Sequence, residues 1–404
     1  MYLSLSWRNL WRNKRRTIIA SASVFFAVLL AVLMRSGENG SYAYMIDSSA
    51  KLFTGYLQIQ GIGYWENHSL DKSIAVSKAQ YDSLSQIPHL TSVTPRLEAF
   101  ALVSRGVNTK VAQIIGINPE SENRMTGLKN RLVEGSYLTG SSDGVLIAQG
   151  LADILGIKRG DSLIIYGQGY HGQMAAARLP VVGVIRLPFP TLNNGMVYMT
   201  LPNAQNVFSA SGLITSAAVM VDNVNNLSTV ENGVHSVMGA NYAIMTWDEM
   251  MPDLVQGIEL DNASGIIMLI ILYIVIAFGV FGTVMMMTSE RVREFGILIS
   301  VGMKKARLVL VTTLETILIS FLGVAAGFVG SIPLIYYLHY NPIHMTGEAA
   351  KAYEAFGVEP IMNFSTDPHI FVSQSIVVLV IALATALYPV LFINRLKPAK
   401  AIHG

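Results

Sequence analysis

The sequence contains no cysteine and unusually few charged residues. The absence of Cys from all 404 residues excludes disulfides, thiolate metal sites and cysteine nucleophiles. Charged residues make up 13% of the chain and hydrophobic residues 52%, whereas roughly 25% of the residues of a soluble globular protein are charged. The net charge of +2 gives no indication of a nucleic-acid partner. This composition is typical of a membrane protein.

Motifs for enzymatic chemistry are also missing. The sequence has no G-x-x-x-x-G-K-[ST] for a P-loop, no H-E-x-x-H for zinc and no G-x-S-x-G for a serine nucleophile. A G-x-G-x-x-G occurs at residues 167–172, but Pro180 and a new predicted strand follow too soon for the helix of a dinucleotide site. We interpret this stretch as a flexible hairpin tip. We therefore predict that the chain is not an enzyme and has no catalytic residue, metal ligand or cofactor of its own.

Long apolar runs provide four candidate transmembrane helices. Each has the roughly 17–25 apolar residues that a bilayer core requires. The first run could instead be a signal peptide, but no small-x-small cleavage site follows it, so we interpret it as a retained anchor. The third is longer than one straight span and is expected to bend or protrude near Pro333. The runs are Thr17–Met34, Ser264–Thr288, Leu308–Leu338 and Ile370–Ile393.

The distribution of Lys and Arg orients these spans. Basic residues cluster before the first run, between the second and third, and after the fourth. With four spans all three clusters lie on one side, and short basic segments mark the cytoplasmic side, so both termini are predicted to be cytoplasmic. The N-terminal stretch Tyr2–Arg16 carries Trp7 and Trp11 among arginines. This pattern predicts an amphipathic helix at the lipid surface, a basic anchor that sets topology, or both.

The long connection between the first two spans is predicted to form an extracytoplasmic domain. Short β-rich runs alternate with helix-like pieces over residues 55–245, which predicts an α+β domain of two subdomains. The inner subdomain, near Asn123–Ser211, would be inserted into the outer one, and polar helical stalks would join the domain to the membrane. A second outer loop is too short for a domain and would cap the first or lie on the membrane. The predicted divisions are 1–34 (N-terminal helix and first span), 35–263 (stalks and domain), 264–288 (second span), 289–307 (cytoplasmic segment), 308–338 (third span), 339–369 (second outer loop) and 370–404 (fourth span and tail).

The cytoplasmic segment 289–307 has the pattern of a short amphipathic helix. Val292, Phe295, Ile299 and Met303 recur at the spacing of one helix face, and charged residues occupy other faces. A helix with one apolar face that is tethered to membrane spans at both ends is expected to lie against another surface.

Three glycines and one acid distinguish the third span. Gly323 and Gly327 form a G-x-x-x-G and Gly330 extends this small-residue surface, which predicts a close helix–helix contact within the chain or across a dimer. Glu315 lies inside the span, where a carboxylate is costly. We expect it to hydrogen-bond to another helix rather than to relay protons.

Several stretches together resemble one protein family. The stretch from Glu290 to Gly302 is similar to the pattern E-R-x-x-E-[FI]-G-[IV]-L-x-A-[VL]-G of ABC-transporter permeases of the MacB, FtsX and LolC/LolE type, with Ser300 in place of the usual Ala. The start of the chain (WRNLWRNKRRT), its end (LYPVLFINRLKPAKAIHG) and GVLIAQGLADILGIKRG in the outer domain resemble further family patterns. The resemblance therefore covers nearly the whole chain.

This resemblance implies a bacterial inner-membrane permease that works by mechanotransmission. It would pair with a second copy or a paralogue and bind two separate ABC ATPase subunits, which would hold ATP and Mg. Segment 289–307 would be the coupling helix that docks on the ATPase, with Phe295, Leu298 and Ile299 burying apolar surface and Gly302 allowing the turn into the third span. The implied coupling residues are Glu290, Arg291, Arg293, Glu294, Phe295, Gly296, Leu298, Ile299 and Gly302.

The resemblance leaves more than one cargo open. The large outer domain and the lack of a fused ATPase favour lipoprotein release from the inner membrane for transfer to the outer membrane, with MacB-like efflux or FtsX-like signalling as alternatives. The lipoprotein-releasing type implies a lipoprotein substrate, membrane lipids and a periplasmic carrier that a hairpin captures. The corresponding hairpin would be Gly167–Ala177, with Tyr170, His171 and Met174 as contacts.

Overall fold

A computed structural model describes residues 2–12, 14–188, 190–348, 350, 353 and 358–396. These residues form two compact units. The membrane unit comprises residues 2–44, 257–345 and 361–396, and the outer-domain unit comprises residues 45–256 and the described part of 346–360. The predicted C-terminal tail beyond residue 396 and part of the second outer loop lie outside the described residues.

The helices and strands follow in chain order. The helices are α1 (Tyr2–Arg12), α2 (Lys14–Ser49), α3 (Tyr64–Asn67), α4 (Lys78–Leu84), α5 (Pro119–Thr126), α6 (Gln149–Leu155), α7 (Pro190–Asn193), α8 (Leu201–Val207), α9 (Leu227–Met238), α10 (Trp247–Met250), α11 (Pro252–Glu290), α12 (Val292–Ser300), α13 (Lys305–Tyr340), α14 (Pro368–Thr385) and α15 (Leu387–Arg395). The strands are β1 (Leu57–Gly61), β2 (Leu90–Arg105), β3 (Asn108–Ile117), β4 (Leu132–Gly135), β5 (Val145–Ala148), β6 (Ser162–Gln168), β7 (Met174–Ile185), β8 (Met196–Thr200), β9 (Ser216–Val221), β10 (Tyr242–Thr246), β11 (Ile343–His344) and β12 (Ile361–Met362).

The membrane unit has, within the described residues, four helical segments long and apolar enough to cross a membrane, which confirms the predicted fold class. They are α2, α11, α13 and the pair α14–α15. Each helix extends beyond its predicted apolar run, because flanking polar residues continue the same helix; α11, for example, begins at Pro252 rather than Ser264. Helix α13 continues without interruption through Pro333, where the sequence predicts a bend or a protrusion.

The described residues 363–365 of the second outer loop pack on α2. Ser36 Oγ donates to the Ser365 carbonyl oxygen at 2.7 Å, and the Ser365 amide donates to the Ser36 carbonyl oxygen at 2.9 Å. A Cβ on Gly40 would lie 2.5 Å from the backbone of Asn363 and Ser365, so glycine is required for this approach. The loop backbone is therefore fixed to the outer half of α2.

The outer-domain unit is built on one mixed sheet. Within the described residues the strand order is β10-β1-β9-β2-β3-β8-β5-β7-β4, with β6 paired to β2 and β7. The pairs β3–β8 and β5–β7 are parallel and the others are antiparallel. Helix α8 follows β8 and precedes β9 in the sequence, and it packs against β2, β3 and β8.

Three clusters of buried hydrophobic residues fill the described part of the outer-domain unit. The inner core contains Val103, Ile114 and Ile165 from the middle of the sheet, and the outer core contains Leu57 and Val219 with residues of α4 and α9. A third cluster contains Ile117, Leu146 and Tyr198. Because the long strand β2 contributes to both the inner and the outer core, these two share one sheet rather than forming separate bodies. The inner core accordingly begins before residue 123, which lies within α5.

Candidate coupling site

Helix α12 lies between two transmembrane helices, at the position predicted for the coupling helix. It starts one residue after Arg291, whose backbone leaves helical geometry, and it ends before a turn at Gly302. Gly302 has φ of +104°, a conformation that strains any residue with a Cβ. Glycine thus permits the sharp turn that leads into α13.

The periodic apolar face of α12 points into the chain's own membrane unit. Phe295 is 1% exposed and packs with Leu308 of α13 and Ile393 of α15, while Ile299 and Met303 pack against this cluster. Gly296 is also buried. Intramolecular packing therefore already covers the Phe295 ring, and its contact with an ATPase stays a prediction.

A second apolar surface of α12 and the following turn is exposed. Ile297 is 47% exposed, Leu298 38% and Val301 83%, and the side chains of Arg293 and Glu294 are exposed beside them. We call Ile297, Leu298 and Val301 the exposed coupling face. Periodicity missed Ile297 and Val301, because the helical spacing of Val292, Phe295, Ile299 and Met303 describes only the inward face.

Arg291 and Glu315 form a buried ion pair. Their exposed fractions are 9% and 4%, and an Arg291 guanidinium nitrogen donates to Glu315 Oε2. Asn9 Nδ2 of α1 donates to Glu315 Oε1 at 2.7 Å, and the Arg291 guanidinium lies 5.3 Å from the Phe295 ring centroid. Arg291, one of the implied coupling residues, is therefore buried between helices of this chain, and its contact with a partner stays a prediction. Glu315 is hydrogen-bonded to other helices, as expected.

Further polar contacts join the N-terminal helix to the same region. Ser6 Oγ donates to the Val311 carbonyl oxygen at 3.2 Å, and Leu10 is buried against Ala20 and Ile319. The indoles of Trp7 and Trp11 remain 44% and 56% exposed. Helix α1 therefore packs on α13 along one face and leaves its tryptophans on the other.

Glu290 also has a partner within the chain. Arg16 of α2 lies 2.7 Å from Glu290 at the end of α11, and both side chains are about one-third exposed. This salt bridge and the Arg291–Glu315 pair place two adjacent residues of the predicted coupling motif in contacts between helices of the membrane unit.

The three glycines of α13 pack against α2. A Cβ on Gly323 would lie 2.6 Å from Val24 Cβ, and a Cβ on Gly327 would lie 2.8 Å from Val28 Cβ. A Cβ on Gly330 would meet the Phe25 ring at 2.7 Å. Of the two arrangements that the sequence left open, the structure has the contact within the chain.

The predicted carrier-binding hairpin is formed by β6 and β7, but its tip is fixed rather than flexible. The Tyr170 amide donates to the Phe208 carbonyl oxygen at 2.8 Å, and the His171 amide donates to Asp71 Oδ1 at 2.7 Å. Tyr170 is half-buried against the inner core. Of the three predicted contacts, His171 and Met174 are exposed, Met174 to 71%.

Met174 belongs to an exposed apolar surface that sequence reasoning missed. Cross-strand pairing places Leu102 opposite both Val111 and Tyr166, and Ala176 opposite Tyr166. The alternation of side chains between the two faces of each strand could have indicated this surface, but it does not distinguish an exposed apolar face from a covered one. The outer-domain apolar face consists of Phe100, Leu102, Val111, Ile164, Tyr166 and Met174, all 43–71% exposed.

Buried charges lie near this face. The guanidinium of Arg96 pairs with Glu122 at 2.6 Å, and the two side chains are 4% and 1% exposed. Glu98, two residues along β2, accepts a hydrogen bond from Gln113 Nε2 at 3.3 Å. Burial raises the pKa of Glu98, and the nearby positive charge of Arg96 opposes that rise. Among the described residues, no group of three or more His, Asp or Glu side chains is placed to hold a metal.

Comparison with known proteins agrees with this architecture. The MacB-like periplasmic core domain matches residues 17–237, more than half of the chain, and the FtsX-like permease C-terminal domain matches residues 266–398. The lipoprotein-releasing system transmembrane protein LolC of Xylella fastidiosa (strain 9a5c) is 23% identical over 78% of both chains. The macrolide export ATP-binding/permease protein MacB of Shewanella oneidensis is 21% identical over 78% of this chain and 49% of its own length.

Four membrane helices, a large α+β domain after the first of them and an amphipathic helix between the second and third define a multi-pass membrane permease. The chain belongs to the ABC-type permease family of MacB, FtsX and LolC, as the two domain matches establish. The resemblance seen in the sequence is thereby confirmed.

Proposed function

We propose that this chain is the transmembrane subunit of an ATP-driven complex and that a separate ABC ATPase binds at α12. The observation that carries this proposal is the exposed coupling face, with Val301 at 83% exposure beside Leu298 and Ile297. Adjacent exposed apolar side chains rimmed by charge are typical of protein docking sites. Arg293 and Glu294 would provide that charged rim.

The partner ATPase would supply the chemistry that this chain lacks. ATP and Mg would bind to the partner, because the sequence has no P-loop. The basic segments support a cytoplasmic position for α12 and both termini, and the four spans would lie in the inner membrane. Two ATPase subunits and a second permease, either a copy or a paralogue, would complete the complex.

We propose lipoprotein release as its transport activity. The LolC relative supports this proposal because the match covers 78% of both proteins, whereas the MacB relative matches over about half of its own length. MacB-like efflux is the second candidate, favoured by the MacB-like periplasmic core domain over residues 17–237. FtsX-like signalling to an envelope enzyme is the remaining alternative.

The outer-domain apolar face is the proposed contact for a periplasmic carrier. It brings Met174 of the hairpin together with Tyr166 and Phe100, which are 54% and 56% exposed. Aromatic and Met side chains are enriched where proteins bind one another. Because hydrogen bonds fix the tip of the hairpin, the proposed docking surface is this face of the sheet and not a projecting hairpin.

Substitutions on the exposed coupling face test ATPase binding. In a complex co-expressed with its ATPase, Val301→Asp and Leu298→Asp should each abolish co-purification of the ATPase, because a carboxylate would be buried at the interface. Val107→Asp is the matched control, since Val107 is 98% exposed in the outer domain. Retention of the ATPase by both α12 variants, at the level of Val107→Asp, contradicts the docking proposal.

Native mass spectrometry of the purified complex tests the cargo. Lipoprotein release predicts acylated protein bound to the wild-type complex and lost on addition of ATP. Finding bound small molecules but no acylated protein would favour efflux instead.

The carrier surface is tested separately with Tyr166→Asp, which should weaken carrier binding while ATPase co-purification is unchanged.

A further inference from the structure

Three separate parts of the membrane unit meet at the carboxylate of Glu315. The carboxylate accepts hydrogen bonds from Asn9 of α1 and from Arg291, the residue between α11 and α12. Arg291 also reaches Glu294 in the first turn of α12, with 3.3 Å between Nε and Oε2. One buried acid of α13 therefore holds the start of the coupling helix and the N-terminal helix together.

The pair is suited to transmit displacement. Charges buried in a membrane helix bundle are costly to separate, because each would lose its partner without gaining water. Arg291 directly precedes the first residue of α12, so a shift of α12 cannot leave α13 behind without breaking the pair. Phe295 adds an apolar contact between α12 and α13 on the same side.

The pair is buried, and it touches the proposed ATPase surface only where Arg291 contacts Glu294 of the charged rim. Arg291 is 9% exposed and Glu315 4%, whereas the coupling face is open on another side of α12. Loss of the pair should therefore leave ATPase binding intact and impair the later movement of the membrane helices. The resemblance placed Arg291 at the ATPase interface, and the structure places it between helices.

We propose that Arg291 and Glu315, with Asn9, are positioning residues that fix the coupling helix to α13 and α1, so that movement of α12 driven by ATP reaches the far ends of the membrane helices. This inference rests on the proposed function. It predicts a variant that binds the ATPase and permits ATP hydrolysis but does not move the outer ends of the helices.

The test uses the absence of native cysteine from the chain. Spin labels on Ser264→Cys, at the start of the apolar run of α11, and on Asn341→Cys, directly after α13, report the distance between these two positions by pulsed electron resonance, in nanodiscs that contain the ATPase. The labelled permease is diluted with unlabelled permease, and distances are compared with and without ATP. The wild-type pair should show a change of distance that depends on ATP.

Arg291→Gln/Glu315→Gln is the main variant, because it removes both buried charges and leaves no unpaired buried ion; Glu294, which also contacts Arg291, is 49% exposed. We expect ATPase co-purification as in the wild type, ATP hydrolysis within twofold, and at least a twofold smaller distance change. The exchanged pair, Arg291→Glu/Glu315→Arg, should recover most of the change. Asp47→Asn/Lys51→Gln removes an exposed ion pair between α2 and the π-helical turn that follows it, and serves as the control for the loss of two charges.

The outcomes separate the two proposals. A full distance change in the neutral variant, or failure of the exchanged pair to recover more than the neutral pair, overturns the positioning role. Loss of ATPase from the neutral variant also overturns it, since the pair would then belong to the docking surface. A wild-type complex that retains no ATPase refutes the proposed function itself, and the positioning role with it.

Discussion

The glycine contact between α13 and α2 gives a prediction whose magnitude can be worked out from the structure. Gly323→Ala would place a methyl group 2.6 Å from Val24 Cβ and 2.8 Å from the Ser21 carbonyl oxygen. Favourable carbon contacts lie at about 3.5–4.0 Å. Neither neighbouring atom is at the end of a flexible side chain, so the two helices would have to separate by roughly 1 Å to restore such contacts.

Overpacking of this kind costs about 1–3 kcal/mol. The substitution also gains up to about 1 kcal/mol, because Ala is a better helix former than Gly. A matched control removes this second contribution. Gly282 lies in α11 with nothing within 4 Å of an added Cβ, so Gly282→Ala makes the same chemical change without the clash. We expect Gly323→Ala to be less stable than Gly282→Ala by about 1–3 kcal/mol.

The assay is reversible unfolding of the purified subunit in mixed micelles with increasing SDS, followed by far-ultraviolet circular dichroism of the helices. The quantity of interest is the difference in unfolding midpoint between the two alanine variants, because both substitutions gain the same helix propensity. Equal midpoints for the two variants would refute the close contact of α13 with α2. Gly327→Ala should behave like Gly323→Ala, since its Cβ would lie 2.8 Å from Val28 Cβ.

Two further predictions concern charges in the outer domain. Burial raises the pKa of Glu98, so the folded state binds the Glu98 proton more tightly than the unfolded state does. The contribution of this proton to the stability of the fold is complete below the unfolded pKa of about 4.3, and it is lost as pH rises through the folded pKa. Glu98→Gln should therefore raise the thermal midpoint at pH 8 and change it little at pH 4; an equal shift at both would contradict the assigned burial. Arg96→Ala should destabilise the domain by about 3–5 kcal/mol in urea unfolding, because it leaves Glu122 buried without its partner. Arg105→Ala breaks a more exposed pair with Asp161 and should cost less than about 1 kcal/mol, so similar losses for the two variants would argue against the burial of Arg96.

Close contacts within the membrane unit connect α12 to α2. The residue before α12, Arg291, is joined to α13 through Glu315, and α13 is joined to α2 through Gly323 and Gly327. Helix α2 is the segment that leads in sequence to the outer domain. A displacement at α12 therefore has a continuous set of close contacts through which to reach the helix preceding that domain.

Much of the fold was predictable because its signals are local. Long apolar runs located the four spans, and β-rich runs bounded by turn residues indicated the strand-rich domain over residues 55–245. No predicted run covered β4, β10 or the two-residue strands β11 and β12. Helix boundaries extended beyond the apolar runs because hydropathy detects the bilayer core and not the end of the helix.

The sequence by itself determined that a short amphipathic helix joins two spans on the basic side of the membrane. Only the tertiary structure decided which of its apolar residues remain available: Phe295 is buried, and Leu298 and Val301 are exposed. Periodicity cannot make this distinction, since a face that packs on the chain's own bundle and a face that binds a partner are both apolar. Likewise, the sequence located Arg291 and Glu315 separately, but only packing of helices distant in the chain brings them into one buried ion pair.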